Sequence, residues 1–282
     1  MKTQAAVAAY PSTQDIEFFR EHGWFKSPEM IPTALLDRAL EGLERHWAGE
    51  RDWKLPAEDG YADWMPGDRE GTRNNEYLSL QNRLVRDLTL LPAIGDYAAA
   101  LLGEPSVRLF DDQMVVKPAQ QSGSAVGWHV DADYWQTCSS PNMITAWIPL
   151  HDCPDELGPL VTVDGSHRWS HRIDRSRFSF HLQDMDSLGD TGGEARIEKM
   201  ALKRGQCSFH HGRTIHGSYP NVGDRPRIAF AIHMQGASNR YLPARRKDGN
   251  PIHLFNDRIC RRDSSGFPDY TDEAVFPRLG SE

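Results

Sequence analysis

Apolar residues in the first third of the chain recur every three or four positions, and from about Ser106 they fall in short alternating runs. The segment STQDIEFFREH puts Ser12 or Thr13 at an N-cap and Gly23 just past the end, which predicts a short amphipathic helix. After Pro32, TALLDRALEGLERHW places Leu35, Leu36, Ala39, Leu40 and Leu43 on one face of a second helix. A third is expected over RDLTLLPAIGDYAAALLGE. Between the second and third, residues 48–75 mix Trp53, Tyr61 and Trp64 with Gly, Pro and charge and show no period. That stretch reads as a long loop, either a lid over a site or a surface loop with anchoring aromatics.

From Ser106 onward, VRLFDDQMVVKP, NMITAWIPL, GPLVTVDGS, GQCSFHHG and RPRIAFAIHMQ are rich in β-branched and aromatic residues and are separated by turn formers. Short strands in series predict a mostly β fold, a sandwich or jelly roll, with N-terminal helices. The expected organisation is one domain over residues 1–282: a helical buttress at about 12–103, a β core at about 106–236 and a polar C-terminal tail. No internal repeat appears.

Hydrophobic residues at 39% and charged residues at 26% describe a globular protein rather than a disordered or membrane one. The formal net charge of -8 repels phosphate backbones and anionic lipid, so no nucleic acid and no membrane is expected as a partner. Cys138, Cys153, Cys207 and Cys260 are scattered, with no disulfide framework and no metal-ligand pairing, which suits a reducing compartment. The opening MKTQAAVAAYPST has too weak an apolar run for a secretory signal, and no stretch reaches transmembrane length. A cytoplasmic protein is the expectation.

Chemistry concentrates in two places. In GWHVDADYW, His129 and Asp131 are two apart and on a strand would project from one face. About one such triplet is expected by chance among this many histidines, so alone it is a weak signal. Far downstream, SFHHGRTIHGSYPNVGDRPRIAF places His216 before a turn signal and Arg227 at the opening of the next strand. Two imidazoles and one carboxylate on one face of an octahedral ion leave three positions open, the arrangement of non-haem iron(II) oxygenases. A 2-oxo acid can take two of them and dioxygen the third, and a guanidinium is suited to grip a carboxylate by two parallel hydrogen bonds.

With these motifs in view, the segment from about Gln113 to Met234 resembles the phytanoyl-CoA dioxygenase family of iron(II)/2-oxoglutarate oxygenases. WHVDADYW resembles its Trp-His-x-Asp segment, TAWIPLHDCPDELGPLVTVDGSHRW its central strand and Gly-Pro-Leu turn, and HHGRTIHGSYPNVGDRPRIAF its closing segment. The resemblance implies a double-stranded β-helix, a cupin-like jelly roll, with His129, Asp131 and His216 as iron ligands and Arg227 on the distal carboxylate of 2-oxoglutarate. It further implies that Ser218 bonds the same carboxylate and that Gln113 and Trp147 line the cosubstrate pocket. Leu157 departs from the family, which often has asparagine before the glycine, and this puts one turn contact in doubt. Relatives that halogenate replace the carboxylate with a small residue; Asp131 is present, which implies hydroxylation, although desaturation, ring closure and epimerisation begin with the same hydrogen removal.

Other residues near the motifs have bland readings. His167, His210 and His211 are read as surface or hydrogen-bonded histidines, with His211 as a candidate support for a ligand. Tyr134 and Trp135 either touch substrate or pack ordinarily. HRWSHRIDRSR, residues 167–177, reads as a solvated basic loop. The expected function is an iron(II)/2-oxoglutarate dioxygenase oxidising an unactivated carbon of a small-molecule metabolite, with secondary metabolism as the candidate setting. The rivals are a non-redox, metal-binding cupin-like protein and an inactive family member serving as a binding module. Arg227 argues against the first, since zinc sites need no carboxylate clamp.

Overall fold

The computed structural model describes residues 10–57, 59–169 and 195–281. Helix α1 (Thr13–His22) starts at Ser12, whose hydroxyl accepts from the Asp15 N–H while the Asp15 carboxylate accepts from Ser12, and it stops at left-handed Gly23. Strand β1 (Trp24–Lys26) and helix α2 (Thr33–Trp47) follow. The single third helix expected from the sequence is two: α3 (Arg83–Thr89), capped by Asn82, and α4 (Pro92–Leu102). Proline has no N–H to continue α3, yet at the first position of a new helix nothing is lost.

The expected loop over residues 48–75 ends in strand β2 (Arg73–Glu76). Its aromatics are anchored: Trp64 meets Trp47 edge-on at 5.1 Å, and the Arg73 guanidinium lies over both rings. The rest of the β part comprises β3 (Val107–Lys117), β4 (Val126–His129), β5 (Met143–Pro149), β6 (Leu160–Val163), β7 (Ile197–Lys199), β8 (Ser208–His211), β9 (His216–Ser218) and β10 (Arg227–Gly236). After these come β11 (Ala244–Arg245), β12 (Pro251–Ile252), α5 (Phe255–Ile259) and β13 (Arg278–Leu279).

Two antiparallel sheets face each other. The larger runs β1-β8-β5-β10-β3-β13, with β2 also on the outer edge of β3; the smaller runs β4-β9-β6-β7. This is the jelly roll expected of the sequence. Along the larger sheet, alternate residues serve different layers. Ile144, Ala146 and Ile148 of β5, Phe209 of β8 and Ile228, Phe230 and Ile232 of β10 bury against Leu36, Leu43, Val85 and Tyr97 of the helices. The intervening residues point between the sheets, where Trp147, Ala229 and Ala231 meet Leu160 of the smaller sheet.

The segment after Tyr241 is polar in sequence but not loose. Phe255, Ile259, Tyr270 and Phe276 bury against Tyr77, Phe110 and Trp135 and wall one end of the sandwich. Among the described residues no helix is long and apolar enough to cross a membrane. The basic run at 167–177 lies, from residue 170 on, outside the described residues.

Leu157, the departure from the family pattern, is buried beside Trp147 and Leu160, so the position has become apolar. The next residue, Gly158, is left-handed at φ 66°, and a Cβ there would stand 2.3 Å from the Tyr219 carbonyl oxygen. Both backbone and space therefore demand glycine. Gly158→Ala is expected to lower unfolding free energy by about 2 kcal/mol; an unchanged urea midpoint would show that the turn yields at no cost.

Candidate active site

His129 ends β4 and His216 begins β9, and the two are paired across the ladder with rings 4.1 Å apart. Asp131 is not on the strand, as the sequence suggested, but opens a one-turn 3-10 helix at Asp131–Asp133. That turn brings its Oδ1 to 3.4 Å from His216 Nε2 and 3.8 Å from His129 Nε2. The three donor atoms lie within 4.8 Å of one another, a spread that can close on one cation with bonds of about 2.1 Å.

The backbone selects the tautomers. His129 Nδ1–H donates to the Gly127 carbonyl at 2.8 Å and His216 Nδ1–H to the Thr214 carbonyl at 2.9 Å, which turns Nε2 of both rings toward Asp131. Burial and the neighbouring His216 push His129 down to about 3, so it stays neutral, the form that ligates metal. Burial alone would raise the Asp131 carboxyl, but His216, His210 and His233 together hold it well below the usual carboxylate range.

The other carboxylate oxygen is held by the larger sheet. Thr145 Oγ1–H donates to Asp131 Oδ2 at 2.8 Å, and His210 Nε2–H reaches the same oxygen at 3.3 Å. Because the single threonine proton is committed, His233 must be the donor in its 2.8 Å contact with Thr145 Oγ1. Oδ2 is thus saturated and Oδ1 is left for a cation. These side chains form one row across the sheet: His210 pairs with Thr145, Thr145 with His233, and His233 with Asp111. His211, the candidate support from sequence, turns away; its Nδ1 accepts from the Arg213 N–H.

Farther along the same strands sits a second charged pair. Arg227 opens β10 opposite Lys117 of β3, and both are buried. Lys117 Nζ donates to Ser218 Oγ and to the Tyr219 carbonyl, each at 2.6 Å, while Trp147 stacks 5.7 Å from the Arg227 guanidinium. Arg227 Nε and Nη1 have no hydrogen-bond partner. Burial pushes Arg227 down to about 10, and burial together with Arg227 pushes Lys117 down to about 5, the signature of positive charge without a counter-ion. Between Arg227 and His233 the inward positions of β10 hold only Ala229 and Ala231, whose small side chains leave room over the strand.

The family model described as phytanoyl-CoA dioxygenase (PhyH) matches residues 19–229. The chain belongs to the phytanoyl-CoA dioxygenase family. Peroxisomal phytanoyl-CoA dioxygenase of Bos taurus is 22% identical over 291 residues, covering 95% of this chain and 81% of that protein. Among solved structures, the epimerase SnoN in complex with Fe3+, alpha ketoglutarate and nogalamycin RO is similar with a TM-score of 0.69 at 21% identity, over 94% of this chain and 97% of that one. The alpha-ketoglutarate-dependent carbocyclase SnoK from nogalamycin biosynthesis gives 0.64 at 22% identity, over 96% and 98%. At such identities these structures share the fold.

In this family member two of the triad, His129 and Asp131, open on a cavity of about 930 Å³, and His216 stands behind its lining. Gln113, Tyr134 and Trp135 line it with His129 and Asp131, whereas Arg227, Ser218 and Trp147 stand outside its lining. Gln113 donates to Glu76 at 3.1 Å; Trp135 is buried edge-on to Phe110, and Tyr134 is exposed. The sequence reading missed Thr145, His210 and His233 as a relay and Lys117 beside Arg227. Thr145 and His233 did carry a signal, each being a polar residue at an inward position of an otherwise apolar strand. Thr145→Val removes the donor to Asp131 Oδ2 and is expected to weaken iron(II) binding about tenfold or more. Metal titration alongside circular dichroism reads this directly, and unchanged affinity in a folded variant would dismiss the relay as packing.

Proposed function

We propose that the chain is an iron(II)- and 2-oxoglutarate-dependent oxygenase that hydroxylates a small organic metabolite. The observation that carries this reading is the buried Arg227 guanidinium with two unbonded nitrogens, set on the strand that also carries His233 beside the His129–Asp131–His216 cluster. A buried cation with open donors calls for an anion, and a dicarboxylate that also reaches a metal satisfies both ends. A zinc-holding cupin has no use for it.

Bound iron and 2-oxoglutarate would supply, with dioxygen, the oxidising power to break an unactivated C–H bond, with succinate and carbon dioxide as the other products. The chain's own part is positioning. His129, Asp131 and His216 would hold the metal, with Thr145 and His210 keeping the carboxylate from rotating. Arg227 would grip the distal carboxylate over Ala229 and Ala231, and Trp147 would stack along it. Ser218 Oγ already accepts from Lys117, so its own proton is left to donate to the same carboxylate. Gln113 would border the cosubstrate, and Tyr134 and Trp135 the substrate.

Hydroxylation is favoured because Asp131 fills the place a halide would need. Secondary metabolism suits the fold, since SnoK and SnoN, of similar architecture, are described as acting in nogalamycin biosynthesis. The four cysteines, all unbridged, support a cytoplasmic setting.

Anaerobic titration of the apoprotein with iron(II) and 2-oxoglutarate is expected to develop the weak visible band of a chelated oxo acid. Asp131→Ala should lose the metal, whereas Arg227→Ala should keep it and weaken 2-oxoglutarate binding by about a hundredfold, the worth of two charge-assisted hydrogen bonds. Metal binding with no oxo-acid band in the wild type would transfer the reading to a non-redox metal protein or an inactive binding module.

A further inference from the structure

One wall of the cavity carries two carboxyl groups, Asp111 and Glu76, with no lysine or arginine against them among the described residues. Asp111 lies in the same cross-strand row as His233 and Thr145, one strand farther from the metal ligands. The residue lines the cavity, and its Oδ1, buried beneath that surface, has no hydrogen-bond partner among the described residues. Glu76, also on the lining, accepts only from neutral donors: the Gln113 and Asn74 amides and the Ala62 N–H. Among the described residues the lining includes neither lysine nor arginine.

Two neutral donors nearby have other partners. Tyr77 donates to Asn256, and one N–H of the Asn256 amide donates to the Phe110 carbonyl. Burial, Glu76 and Asp112 push the Asp111 carboxyl well above the usual carboxylate range, as they must where a charge lacks a positive partner. The metal centre does not supply one. Iron(II), Asp131, a 2-oxoglutarate dianion and Arg227 sum to zero, leaving Glu76 and Asp111 unbalanced.

Around these carboxylates stand aromatic faces. Tyr77 and Phe255 meet at 4.8 Å, and Phe110 and Trp135 at 5.7 Å, all on the lining. Aromatic rings attract cations through their negative faces and repel anions, so rings and carboxylates select the same charge. A cavity of about 930 Å³ suits one small organic molecule.

We infer that the substrate carries a cationic nitrogen, an amine or quaternary ammonium, seated between Asp111 and Glu76 and the ring faces of Tyr77, Phe110, Trp135 and Phe255. The inference rests on the oxygenase reading of the same pocket. Asp111 and Glu76 are then the residues that choose substrate by charge, and an acyl-CoA or carboxylate substrate is repelled.

The test uses three molecules of one size and different charge, 2-phenylethylammonium, 2-phenylethanol and phenylacetate, titrated calorimetrically into protein loaded with manganese(II) and 2-oxoglutarate. The 2-oxoglutarate isotherm is recorded first, so its absence retracts the oxygenase reading, while a normal isotherm leaves the charge preference to be judged alone. The ammonium is expected to bind at least about tenfold tighter than the alcohol, with the carboxylate weakest. Asp111→Asn should reduce the ammonium-to-alcohol ratio to about threefold or less, and Glu76→Gln should reduce it independently if the first variant folds poorly. Equal or tighter binding of the alcohol or carboxylate, no ammonium binding at millimolar concentration, or an unchanged ratio in both variants would overturn the inference.

Discussion

A β-strand presents alternate residues to opposite sides, and the groups that surround the His129–Asp131–His216 cluster follow from how the seven-stranded sheet divides its two faces. One face is apolar and buries against the N-terminal helices; the other points between the sheets and mixes apolar Trp147, Ala229 and Ala231 with buried polar groups. On β3 the division is sharp: Met114 and Val116 join the helical core, while Asp111, Gln113 and Lys117 turn inward to the cavity, the Glu76 contact and the cation pair. The helices are therefore not ornament. Covering one face with Leu36, Leu43, Val85 and Tyr97 supplies apolar burial worth about 25 cal/mol for each Å², and that burial allows the other face to hold charges that by themselves oppose folding.

Those charges are arranged in three groups, each incomplete without a ligand. Asp131 has one oxygen saturated by Thr145 and His210 and the other directed at two histidine nitrogens. Arg227 is a buried cation with no carboxylate against it among the described residues, Lys117 beside it is pushed toward the neutral amine, and Asp111 and Glu76 are carboxyl groups with no cation. Opposite signs were not paired with each other, although both lie between the same sheets. Distance along the strands keeps them apart: on β3, Lys117 is six residues from Asp111, or about 20 Å of extended chain. Each group thus waits for a different part of the reacting assembly, and each ligand that binds the native state alone adds to its stability by mass action.

How much of this was legible in the sequence depended on whether a feature was local. Capped helices such as α1 and α2 could be read because Ser12, Gly23 and the leucine spacing lie within one window. His129, Asp131, His216 and Arg227 could be read because each stands in a contiguous, recognisable segment. The break at Pro92 was misjudged because the leucines on both sides keep helical spacing. The relay of His210, Thr145 and His233, and the facing of Lys117 and Arg227, could not be read, because they depend on which residue of one strand sits opposite which residue of another. A one-residue slip in register would send each of them to the helical face. The tail after Tyr241 was opaque for a similar reason: Phe255, Tyr270 and Phe276 are isolated aromatics that become a wall only when brought together with Phe110 and Trp135.

The shared row also links recognition to the place of reaction. Asp111, His233 and Thr145 are neighbours on successive strands, and strands lie about 4.8 Å apart, so Asp111 and Thr145 are separated by about 10 Å across the sheet. Thr145 holds the Asp131 carboxylate directly. A cation anchored at Asp111 is therefore set at an offset from Asp131 by the sheet whose Thr145 holds that carboxylate. β5 and β10 pair without a break from Gln235–Met143 to Ala229–Pro149, and β10 pairs with β3 from Arg227 to His233 before a bulge that skips Phe110. The carbon presented for oxidation is then set by the reach of the substrate from its charged nitrogen, and a loop need not choose it. Selectivity for charge and selectivity for position become one constraint, imposed by register.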